Sequence, residues 1–229
     1  MKIRKTLSVI GLSVLLASTY LPSADASEQP DRFTTRDRGD INLDYHVHEI
    51  ENVPHYYMED YSRYSGSCAL IAMTNLIMYH DKTSFPQLVS TDDWKRVTDR
   101  VATLSNFEKQ KTFYISQYKG VLEGFIAEHN LSNSLEVKVI SKPTYADIEH
   151  YVSQDYPVQL SLKDYDYGPW HEVDPNSGHS VVVKGIVRMG DVKNVILRSG
   201  WKGVPDNAYH SWDDLQKLQI NQMSVIVRK

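Results

Sequence analysis

Residues 68–80 read CALIAMTNLIMYH, and no other stretch constrains the fold of this chain as much. Apolar side chains recur at every helical angle rather than in one stripe. The segment therefore predicts a helix in the middle of a core, covered on all sides. Further helices are expected near Thr91–Leu104, Phe107–His129 and Tyr145–Ser153, with one or two helical turns over Ser211–Leu218. Thr144 with Asp147 makes a capping pattern at the start of the third, and Asp92-Asp93 and Asp213-Asp214 read as helix caps. Strand-like runs lie at Leu135–Ile140, Pro157–Leu162, Ser180–Val187, Val192–Ser199 and Met223–Arg228, and Met189-Gly190-Asp191 reads as a hairpin turn. A helix-rich first half followed by an antiparallel sheet argues for an α+β domain.

The beginning of the chain reads as an export signal. Lys2, Arg4 and Lys5 precede a mostly apolar run from Thr6 to Leu21, and residues 22–26 (PSADA) offer the small residues that a signal peptidase needs. Cleavage after Ala26 is expected. The apolar run is too short for a comfortable membrane span, so the mature chain is expected to be secreted or held loosely at the cell surface, as a monomer. Residues 27–43 are polar and lack apolar periodicity, which predicts a flexible leader, and residues 44–229 then form one domain. The net charge of −4 is mixed along the chain, with no basic stripe, which argues against a nucleic-acid partner. His46 and His48 alternate on a possible strand. Without a third convergent ligand they read as surface histidines rather than as a metal site.

The chain has one cysteine. In an exported protein such a residue is reactive, pairs between molecules, or packs as an inert small hydrophobe. Gly66-Ser67-Cys68 sits where an irregular loop becomes the buried helix. Unpaired amides and the helix dipole favour negative charge there, which predicts a thiolate formed below the reference value of about 8.5. The same amides could hold an oxyanion. His179 follows Gly178 and opens a valine-rich strand. A histidine so placed could face a cleft and act as base, or could simply be a hydrogen-bonded residue at a strand end.

Four pieces in order resemble the papain-like cysteine peptidases. They are Asn52–Tyr56, Gly66-Ser67-Cys68 with Ala72 and Tyr79-His80, Tyr145–Ile148 leading to Pro157–Leu160, and Gly178-His179 leading through a hairpin to Ser199–Gly203. The chain is most similar to the bacterial branch related to the bacteriocin-leader-processing, C39-like domains. This resemblance spans roughly residues 52–228. It implies a papain-like fold and a secreted peptidase working through a Cys68–His179 acyl-thioester on a peptide or protein substrate. It also implies no cofactor or metal, and a cleft shaped by Trp170, His171, Gly178 and Trp201, although ordinary loop packing of Trp170 and His171 is the alternative.

Two family features are missing. No Gln lies between residue 44 and Cys68, where Met58 or Ser62 takes its place, and no Asn or Asp precedes Trp201 by two. The position that orients His179 falls on Ser199 or, in another register, Arg198. Ser199 is favoured because a hydroxyl can accept a hydrogen bond and a guanidinium cannot, and because it shares a strand face with Val195 and Leu197. The two losses imply either a weakened enzyme or one with rearranged supports. The same dyad would also suit an amidase or acyl transferase of cell-wall peptides, and the two losses leave open a binding-only module on the same fold.

Overall fold

The computed structural model describes residues 44–163 and 178–229. The expected export signal and leader, together with Trp170 and His171, lie outside the described residues. The helices are α1 (Cys68–Thr83), α2 (Trp94–Leu104), α3 (Phe107–Gln110), α4 (Tyr118–Glu128), α5 (Tyr145–Val152) and α6 (Trp212–Lys217). The strands are β1 (Tyr45–Glu49), β2 (Leu135–Ser141), β3 (Val158–Leu162), β4 (His179–Met189), β5 (Val192–Arg198), β6 (Ala208–Ser211) and β7 (Ile220–Arg228). All pairings are antiparallel, in the order β2-β7-β3-β4-β5-β6, with β1 on the far half of β4. The architecture is α+β. None of the described helices is long and apolar enough to cross a membrane.

Helix α1 is buried from Ala69 to Asp81 and packs against α2 as well as β3 and β4. Burying Leu70, Met73, Leu76 and Ile77 completely contributes about 1.5–3 kcal/mol for each side chain. Thr74, Asn75 and Asp81 of this helix each make a hydrogen bond inside the core. Thr74 Oγ1 donates to the Leu70 carbonyl (2.8 Å) and meets Thr98 Oγ1 of α2 (2.9 Å). Asn75 Oδ1 accepts from the Tyr56 amide (3.1 Å), which ties the extended lead-in Val53–Tyr56 to α1. Asp81 Oδ1 accepts from the Val89 amide (2.9 Å).

Caps explain the helix starts. Asp93 accepts from the Lys95 amide (3.0 Å) at the head of α2. Thr144 and Asp147 form a reciprocal capping box on α5. Asp213 and Asp214 do not cap: both lie inside the first turn of α6, where negative charge suits the helix dipole.

The expected helix over 107–129 is broken. Lys111 adopts a left-handed conformation (φ 56°) that ends α3, and a 3-10 turn at Ile115–Gln117 precedes α4. Between them lie Thr112, Phe113 and Tyr114, one β-branched and two aromatic residues that lose side-chain freedom in a helix. The Tyr114 amide donates instead to the Gln117 side chain (3.0 Å). This break opens the space above Cys68.

Candidate active site

Cys68 is the first residue of α1, with Ser67 as its N-cap. Gly66 has φ +69°, a conformation that favours glycine, and it turns the incoming loop into the helix axis. The Cys68 sulfur is directed toward the amides of Ser180, Ala69 and Cys68 itself. Burial pushes the thiol up and these amides draw it down; burial prevails, so the thiol stands above its ordinary value. This corrects the expectation of a depressed thiol. A helix N-terminus lowers a cysteine only when the desolvation cost is smaller than the field it supplies.

His179 opens β4 and is 6 % exposed. Its Nε2 lies 2.9 Å from the carbonyl oxygen of Ser199, and its ring stacks on Trp201 at 5.9 Å between centroids. Burial drives its pKa down to about 4, while the Ser199 carbonyl pulls it back up. The thiol and the imidazole are therefore both neutral near pH 7.

A cleft of about 1120 Å³ joins the two residues. Cys68, His179, Gly178, Trp201 and Met58 line it, and residues 111–116 form one wall. Its other titratable groups among the described residues are Tyr118, Tyr64, Tyr114, Glu59, Lys111 and Lys163. Met58 holds the cleft side by donating its amide to the Gly200 carbonyl (2.9 Å). Gly178 is required by close approach: a Cβ there would stand 2.9 Å from the Leu162 carbonyl oxygen.

Ser199 sits beside His179 through its backbone, not through its side chain as the sequence suggested. The hydroxyl instead accepts from the Trp201 amide (3.1 Å). Arg198 turns elsewhere, donating to the Asp206 carbonyl (2.7 Å) and pairing with the Asp206 carboxylate (3.6 Å). His46 and His48 pair with Glu149 (2.9 Å) and Asp155 (2.8 Å), and the described residues contain no group of three or more potential ligands able to hold a metal ion.

Sequence reasoning missed Tyr118, Ser161 and Ser180, which form the polar floor of the cleft. Their only signal is that Gln159 and Ser161 interrupt an otherwise apolar strand.

No family model and no curated protein sequence matches the chain. Among solved structures it is similar to one named as a C39-like peptidase from Bacillus anthracis, with a TM-score of 0.52 and 12 % identity. The match covers 80 % of this chain and 99 % of that one. The fold is thus α+β of the papain-like, C39-like type.

Proposed function

We propose that this chain is a cysteine peptidase, with Cys68 as nucleophile and His179 as base. The observation that carries this reading is that the single cysteine, at the head of the buried helix, and the histidine heading β4 line one open cleft. The C39-like fold of the neighbour supports it.

With Nε2–H donating to the Ser199 carbonyl, the neutral ring carries its lone pair on Nδ1. That nitrogen takes the thiol proton as sulfur attacks the substrate carbonyl. The resting pair is neutral, so this transfer accompanies attack rather than preceding it. Amides at the head of α1 receive the oxyanion in this reading, the task that a Gln shares in papain-like peptidases. The imidazolium then protonates the leaving amine, an acyl-thioester remains on Cys68, and water activated by the same histidine releases the acid.

A second reading, a binding module of low reactivity, is favoured by the upward shift of Cys68 and the downward shift of His179. Incubation of the purified protein with a peptide library separates the two. Cleavage that disappears in Cys68→Ala supports the peptidase. Retention of peptides without cleavage, unchanged in Cys68→Ala, supports the module.

A further inference from the structure

The central strands carry polar side chains where a core sheet ordinarily carries apolar ones. Ser180 of β4 lies opposite Ser161 of β3, and Ser161 lies opposite Gln222 of β7; two residues along, Gln159 lies opposite Ser224. Cross-strand partners share a face of the sheet, and all five residues are buried. Tyr118, the first residue of α4 and itself 3 % exposed, meets this strip with its hydroxyl 2.5 Å from Ser180 Oγ. Gln222 Nε2 donates to the Ile115 carbonyl (3.4 Å) and to Ser224 Oγ (3.2 Å). The polar strip thereby fastens the cleft wall at residues 115–118 to the sheet.

Filling space does not require this arrangement. A phenylalanine would fill the site of Tyr118 without the cost of burying a hydroxyl. Ser180 is distinguished by its neighbours: it follows His179 in the chain, and its amide is directed at the Cys68 sulfur. The sheet holds it from one side only, because β4 pairs with β5 from Val182 onward and the first residues of β4 pair with β3 alone.

We infer that Tyr118 is a positioning residue for the Cys68–His179 pair, acting through Ser180 Oγ to fix the first residues of β4. The Ser180 amide then stays on the sulfur and His179 stays against Ser199. Burial and the neighbouring Cys68 hold the phenol above its ordinary value, so it remains a hydrogen-bond donor at any working pH. The bearing on catalysis rests on the peptidase reading, but the effect on the thiol can be measured without a substrate.

Because Cys68 is the only cysteine, alkylation by iodoacetamide reports on it alone. The experiment compares pH–rate profiles of wild type, Tyr118→Phe, Ser180→Ala and the double variant, all in the full chain. Each single change should move the profile to higher pH and slow alkylation at neutral pH by roughly threefold to tenfold, the effect of losing one hydrogen bond. The double variant should be no slower than the slower single. On any peptide the wild type cleaves, the loss should fall on kcat with KM unchanged. A Tyr118→Phe profile superimposed on wild type at equal thermal stability overturns the inference, as do single losses that add in the double. If Tyr118→Phe does not fold, Ser180→Ala decides: a shifted profile supports the inference and an unshifted one ends it. Failure of the wild type to cleave peptides would remove the peptidase reading, while the alkylation comparison would still decide the role of Tyr118.

Discussion

The Nε2 of His179 is held 2.9 Å from the main-chain oxygen of Ser199, while the hydroxyl of the same serine serves the Trp201 amide. The orienting acceptor is thus one that no side-chain substitution removes. Ser199→Ala should keep kcat/KM within about threefold of wild type and lower stability by about 1 kcal/mol, the worth of one hydrogen bond. Steady-state kinetics beside a urea melt would show both. A hundredfold loss of turnover with unchanged stability would mean that the hydroxyl itself supports the imidazole.

The protonation states of the pair predict an unusual pH dependence. A preformed thiolate–imidazolium pair gives rapid alkylation on a plateau reaching well into acid. Here burial raises the thiol and lowers His179 to about 4. Iodoacetamide should therefore react slowly at neutral pH, with a midpoint above the ordinary thiol range. Peptide turnover should instead fall only on the acid side, near pH 4, where His179 gains the proton that stops it acting as base. A fast alkylation plateau between about pH 4 and 8 would refute the neutral pair.

Gly178→Ala probes the approach to His179. The added methyl would meet the Leu162 carbonyl at 2.9 Å, and a backbone oxygen in the β3–β4 ladder cannot swing aside as a side-chain tip could. Relief must come from moving the start of β4, at a cost of about 1–3 kcal/mol. The expected outcome is a lowered melting temperature with a loss of kcat larger than that of Ser199→Ala. Wild-type turnover in this variant would show that the position of His179 tolerates displacement.

Parts of this arrangement were legible in the sequence for physical reasons. The run at residues 68–80, apolar on nearly every side, reads as a central helix, and Thr144 with Asp147 announces the start of α5 locally. The cleft wall was not legible. Residues 107–129 keep helix-compatible spacing, and the left-handed turn at Lys111 is a single-residue event within that spacing. The polar floor was hidden differently: Gln159 and Ser161 alternate with apolar residues as on a half-solvated strand, yet β3 is buried on both faces. The support of His179 was hidden in kind, because sequence reasoning chooses among side chains and the acceptor is a carbonyl that every residue carries.

Two buried histidines predict how stability depends on pH. His80, near the end of α1, is 2 % exposed, and burial lowers it to about 4, the same value as His179. In the unfolded chain both return to about 6.5. Between these values the unfolded state binds more protons than the folded one, so stability rises with pH across the window. The contribution is complete above about pH 6.5 and is lost as pH falls toward 4, about 3 kcal/mol for each histidine. His80 Nε2 has no hydrogen-bond partner, and the ring stacks on Tyr156, so His80→Phe keeps the stacking surface and removes the titration. Melting temperatures taken across this window should fall steeply with acid in wild type and less steeply in His80→Phe, where His179, His55 and His210, all lowered by burial, still titrate. A flat wild-type profile, or a slope that His80→Phe leaves unchanged, would show that proton uptake by these buried rings does not govern acid unfolding.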